Sequence, residues 1–131
     1  MVLAIVQDGA LGRLIDHHVD GIAVARIARD SDEGIELARS IRPNVILLDL
    51  AVPGAEGVKI CQRLKSADVL REVPLIVLSA TENGNALQRQ MAAGAHAWLR
   101  KPLHPDELRA AVRAALRLGR VLDTVHARRH R

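Results

Sequence analysis

The chain has no Phe, no Tyr and a single Trp among its 131 residues. With so few rings, binding bases or a flavin by stacking is disfavoured. The lone cysteine, Cys61, excludes an internal disulfide and any cysteine-only metal site, and fits a reducing compartment. The apolar stretch 1–6 breaks at Gln7 and Asp8 with no positive charge before it, so it does not read as a signal peptide. No apolar run is long enough to span a bilayer. The expectation is a soluble, cytoplasmic protein with no membrane insertion.

What is present is aliphatic. A hydrophobic fraction of 49% is enough for an ordinary core, and 131 residues suit one domain rather than two. The net charge of +4 is unevenly placed. Beyond Leu118 four arginines stand against one aspartate, which leaves residues 1–118 near neutrality. Residues 1–118 therefore read as the domain, and 119–131 as a basic tail or truncated linker. No aromatics interleave with the tail arginines, so direct nucleic-acid binding is not expected.

Strand and helix patterns alternate five times, the mark of an α/β domain with a parallel sheet. Val2–Val6, Ile22–Ala28, Val45–Leu48, Leu75–Leu78 and Ala95–Leu99 read as strands, the last an edge strand. Apolar residues at helical spacing mark the segments between them: Leu11, Leu14 and Ile15; Ile35, Ala38 and Ile41, stopped by Pro43; Ile60, Cys61 and Leu64; Leu87 and Met91, ending near Gly94. A last helix starts at Pro105 and runs through Leu108, Val112 and Ala115 to about Leu118. His17 and His18 are adjacent and cannot share a helix face, so they do not read as a metal site.

The run Val45–Leu48 ends on Asp49, and Pro53-Gly54 turns the chain soon after. In open α/β sheets ligands bind outside the carboxyl ends of the strands. Other strand ends bring Gln7 and Asp8, Ser79, and Lys101 to the same edge. Each has a plain structural role available: Asp8 as a helix N-cap, Ser79 as a cap, Lys101 as a surface lysine. Together they suit phosphoryl chemistry. Two carboxylates fit Mg2+, which needs only one or two. Asp49 is a candidate carboxylate nucleophile forming an acyl phosphate, with Lys101 and Ser79 as partners for phosphoryl oxygens.

On the segments Ile46 to Gly54, Leu75 to Ala80, and Gly94-Ala95 through Lys101-Pro102, the chain resembles the receiver domains of bacterial two-component response regulators, over about residues 2–118. The resemblance implies a doubly wound, flavodoxin-like sheet of order 2-1-3-4-5 with helices on both faces. It implies that Asp49 is the phosphoacceptor for a sensor histidine kinase. Asp8, Asp49 and the backbone carbonyl of Ala51 would ligate Mg2+, Ser79 and Lys101 would complete the site, and Ser79 and Trp98 would act as the switch pair. Ala51 and Thr81 would tune the lifetime of the acyl phosphate. Such a domain is a switch and not an enzyme, catalysing only its own phosphorylation and dephosphorylation.

It also implies a downstream protein partner on the face made by the helix before strand five, that strand and the last helix, and a homodimer is compatible. Arg109, Arg113, Arg117 and Arg120 form a stripe on the last helix that reads as a solvated face or as part of that contact surface.

One departure stands out. The family has two acids at the end of strand one, and here the first position is Gln7. An amide can still hold a metal-bound water, but weaker Mg2+ binding is expected. The alternative is a degenerate, phosphate-independent receiver acting as an interaction module. A haloacid dehalogenase-type phosphohydrolase needs an acid two residues after the nucleophile, where this chain has Ala51. A flavodoxin-like electron carrier lacks its phosphate loop and flanking aromatics here.

Overall fold

Strands that are apolar at every position are strands covered on both faces. In the computed structural model, which describes residues 1–50, 58–80 and 94–129, β1 (Val2–Ile5) is apolar throughout, β3 (Val45–Asp49) and β4 (Leu75–Ser79) are apolar up to their last residue, and each is buried along its full length. With β2 (Ala25–Ala28) and β5 (Ala97–Arg100) they form one parallel sheet of order β2-β1-β3-β4-β5. This is the expected doubly wound order. The described helices are α1 (Gly9–Val19), α2 (Ser31–Ile41), α3 (Val58–Ser66) and α4 (Pro105–Arg129), with a 3-10 turn at Asp68–Leu70.

Side-chain alternation along the strands sorts the core into two layers. Leu3, Ile5, Ile46, Leu48, Leu75 and Val77 pack with Ile35 and Ala38 of α2 and Ile60, Cys61 and Leu64 of α3. Val2, Ala4, Val45, Leu47, Ile76 and Leu78 pack with Ile15 and Val19 of α1 and Leu108, Val112 and Ala115 of α4. Helices thus cover both faces of the central strands, and the strand ends are where polar side chains can gather.

Two of the helices start where side-chain oxygens satisfy an early N–H group. Asp8 accepts the Ala10 N–H at 2.8 Å to begin α1, and Asp30 accepts the Glu33 N–H at 2.8 Å to begin α2. The α2 end is marked by Arg42 in the left-handed region, φ 49°, followed by Pro43.

Three boundaries differ from the sequence-based expectation by two residues or more. β2 starts at Ala25, not Ile22, because Ile22 and Ala23 both donate to the Val19 carbonyl and are still closing the end of α1. β5 starts at Ala97, two residues later than expected. The last helix continues to Arg129 rather than ending near Leu118. Gly119 does not break it, and no proline follows to do so. The helix expected around Leu87 and Met91 lies outside the described residues.

Gly34 shows how closely α2 sits on the sheet. A Cβ there would lie 2.6 Å from Ile5 Cδ1 and 2.8 Å from Ile5 Cγ1. Ile5 is fully buried in the middle of the core and has nowhere to go. The clash, about 1–3 kcal/mol for an overpacked core, outweighs the gain of up to about 1 kcal/mol from replacing a helical glycine. Gly34→Ala is expected to lower stability by about 1–2 kcal/mol in urea unfolding; an unchanged midpoint would mean that α2 can lift off Ile5 at no cost.

Candidate functional site

Asp49 is the last residue of β3 and is 2% exposed. Lys101 follows the last residue of β5, two strands away in the sheet. Two hydrogen bonds fix the lysine across that gap. Its backbone N–H donates to the Ser79 carbonyl at 3.0 Å, extending the β4–β5 ladder. Its Nζ donates to Asp49 Oδ1 at 2.7 Å, with the lysine side chain 24% exposed and the aspartate side chain 4%. The Leu50 N–H donates to the Leu78 carbonyl at 3.1 Å, so the backbone just past Asp49 is also tied to β4. The Lys101–Asp49 pair is a charge-assisted contact that is largely shielded from solvent, the strong kind.

Strand alternation says which side each group takes. Asp49 continues the face of Val45 and Leu47, and Lys101 that of Ala97 and Leu99, so both leave the sheet on its α1 and α4 side. Ser79, 6% exposed, continues the face of Leu75 and Val77. Trp98 packs on that second face and is level with Val77. Its indole nitrogen is buried and has no hydrogen-bond partner among the described residues. The two residues assigned by resemblance as a switch pair therefore share one face, opposite to the ion pair.

At the neighbouring strand end, Ile5 of β1 is level with Leu48 of β3. Gln7 and Asp8 therefore leave the sheet next to Asp49, and both are exposed. Asp8 does fill the plain role that its position allows, capping α1 through Oδ1. Among the described residues, no group of three or more His, Cys, Asp or Glu side chains gathers to hold a metal. Two carboxylates, one exposed and one buried, are nevertheless hard oxygen donors of the number Mg2+ takes, so the donor set fits that ion. Ala51 and Thr81 lie outside the described residues.

The sequence reading did not single out a groove of about 360 Å3 beside this strand end, lined by Gln7, Asp8, Arg13, Asp16, Arg29 and Glu33 among others. The signal for Arg13 was its spacing. It stands four residues after Gly9 on a helix, and helical side chains lean towards the N-terminus. Arg13 Nη1 accordingly lies 3.3 Å from the point a Cβ on Gly9 would occupy.

On the α4 stripe, Arg109 is engaged: Nη2 donates to Asp106 Oδ1 at 2.5 Å and Nη1 lies 3.1 Å from His18 Nδ1. Arg113 and Arg117 are exposed.

The resolved pKa shifts belong to the opposite edge of the sheet. Burial pushes the Cys61 thiol up to about 11, against the opposing charge of Lys65. Burial brings Lys65 down to about 8, although Cys61 works the other way. Its ammonium donates to the carbonyls of Arg71, at 3.2 Å, and of Val73. His96 is lowered by burial and then by Lys65, and its Nδ1 accepts the Leu75 N–H at 3.1 Å. Gly94, at φ +116°, passes over Lys65, where a Cβ would meet Lys65 Cγ at 2.8 Å. This cluster ties the start of β4 to the start of β5 and is remote from Asp49.

The fold and the strand-end ion pair are those of a receiver-type domain, and comparison with known proteins agrees. Residues 6–113 match the response regulator receiver domain family, and the chain belongs to it. It is 32% identical over 128 residues to the phosphate regulon transcriptional regulatory protein PhoB of Rhizobium meliloti, a match covering 94% of this chain and 56% of that protein. The chain spans about half the length or less of the curated relatives it matches.

Among solved structures, the chemotaxis response regulator CheY4 of Vibrio cholerae superposes with a TM-score of 0.81 at 23% identity, over 87% of this chain and 96% of that one. The receiver domain of sensor histidine kinase PA1611 from Pseudomonas aeruginosa, with a magnesium ion coordinated in its active site cleft, gives 0.78 at 20% identity, over 88% and 95% of the two chains. These likenesses show the fold. By the family match, the chain is a response regulator receiver domain. No described helix is long and apolar enough to cross a membrane.

The ion pair makes a stability prediction. Lys101→Met leaves Asp49 buried without its cation and is expected to cost about 2–4 kcal/mol. Asp49→Asn keeps the shape and an acceptor for Lys101, and is expected to cost less. Guanidinium unfolding of the two variants at pH 7 measures both, and equal losses would show that the pair is not what holds the carboxylate in place.

Proposed function

We propose that Asp49 accepts a phosphoryl group from a histidine kinase and that the resulting acyl phosphate changes the affinity of this domain for a downstream protein. The observation that carries this reading is the 2.7 Å contact from Lys101 Nζ to the buried Asp49 carboxylate. A cation held there in advance meets the charge that a phosphoryl group brings, with no reorganisation at the moment of transfer.

In the transfer, a carboxylate oxygen of Asp49 attacks phosphorus as the P–N bond to the kinase imidazole breaks, and the imidazole takes up a proton. Lys101 can follow the new charge from the carboxylate to a phosphoryl oxygen. Asp8 and Asp49 are the side chains that would hold Mg2+, which when bound supplies further positive charge against the phosphoryl oxygens. The Ser79 hydroxyl, on the next strand, donates to a phosphoryl oxygen and so draws its strand end inward. Trp98 packs on the same face as Ser79 and repacks in response. The surface that changes includes β5 and α4. A switch of this kind works only to the extent that phosphate contacts differ between its two states. The domain acts in the cytoplasm, and it catalyses nothing beyond its own phosphorylation and dephosphorylation.

A second reading is a receiver that signals without phosphate, and Gln7 is the observation in its favour. Intact-protein mass spectrometry after incubation with acetyl phosphate across a Mg2+ series separates the two. A single phosphoryl adduct that needs Mg2+ and disappears in Asp49→Asn is the expected result. No adduct at any Mg2+ concentration, with beryllofluoride also failing to bind, would favour the phosphate-independent module.

A further inference from the structure

Positive charge stands near Asp8 as well as at Asp49, where Lys101 is paired. Asp8 caps α1 through one oxygen, so it sits at the positive end of a helix, which itself disfavours a cation. The Arg13 guanidinium lies over the Gly9 turn, next in the chain to Asp8. Arg13 and Arg29 both line the groove that holds Gln7 and Asp8. Besides Asp8, two acids line the same groove, and among the described residues neither forms an ion pair with Arg13 or Arg29. Glu33 Oε2 accepts the backbone N–H of Arg29 at 3.3 Å. Asp16 stands three residues from Arg13, and among the described residues Arg13 forms no ion pair with it.

We propose that Arg13 sets the divalent-cation affinity of the site, its guanidinium taking the position of a built-in positive charge beside Asp8 where the family pattern has a second acid at residue 7. This rests on the reading of Asp8 and Asp49 as the metal ligands. Arg13 is a positioning charge and not a ligand. With Gln7 neutral and Arg13 close by, the resting site holds a dication weakly. Arrival of a phosphoryl group adds negative charge and reverses that balance. Metal and phosphoryl group then favour each other's binding, and the coupling is reciprocal. The residue pair Gln7 and Arg13 therefore makes the metal affinity of the site rise more steeply on phosphorylation than a second acid at residue 7 would.

The test is Mn2+ binding to the unphosphorylated protein, followed by loss of the free-ion EPR signal with Mg2+ as competitor. A unit charge several ångströms from a divalent ion near a protein surface changes its binding about three- to tenfold at low salt. Arg13→Gln is expected to bind Mn2+ and Mg2+ tighter by that factor, with the gain shrinking at high salt. Arg117→Gln, which removes the same charge from the exposed face of α4, is expected to change nothing. Equal affinities for wild type and Arg13→Gln, with measurable binding in both, overturn the role of Arg13 and leave the metal site standing. A tightening of the same size in Arg117→Gln also overturns it, because the effect is then one of net charge. Absence of binding in wild type, Arg13→Gln and Gln7→Asp alike overturns the metal site itself.

Discussion

Asp49 is a carboxylate at 2% exposure, and the ammonium of Lys101 is the cation that answers it. Much of the local architecture can be read as what brings that ammonium there. The lysine stands just past the end of the edge strand β5 and has to reach past β4 to a carboxylate on β3. It does so because the β4–β5 register continues one step beyond the strands, through the Lys101 N–H and the Ser79 carbonyl. The register is in turn fixed by burial, since a slip of one residue would exchange the two faces of every strand. Burial of the sheet on both sides thus determines where one hydrogen bond falls at its edge.

The parts of this arrangement that rest on periodicity were legible in the residues. The apolar runs Val45–Leu48 and Leu75–Leu78 announce strands covered on both faces, and Asp49 and Ser79 mark where those runs end. What periodicity cannot give is how an element ends. The start of β2 depends on Ile22 and Ala23 choosing the Val19 carbonyl over a neighbouring strand. The length of α4 depends on Gly119 being tolerated within a helix, an energetic difference of only about 1 kcal/mol.

The site was legible as a set of residue types, because strand order places the ends of β1, β3, β4 and β5 along one edge. It was not legible as a charge balance. Asp8 turns out to cap α1, which a helix start beginning Asp-Gly-Ala makes available but does not require. Arg13 reaches the same turn because of helix geometry and not because of any motif. The opposite edge was missed for a different reason. Cys61 and Lys65 read as one core residue and one polar residue of α3, and nothing in their spacing says that His96 and Gly94 will close over the lysine.

The central claim is that charge arriving at Asp49 is felt on the other face of the sheet, at Trp98. The absence of Phe and Tyr leaves this one indole to report by itself. Its emission and its side-chain N–H resonance, recorded before and after beryllofluoride with Mg2+, test the claim most directly. The account predicts a new indole environment in the wild type and none in Asp49→Asn. An indole that stays unchanged while beryllofluoride demonstrably occupies the site would contradict it.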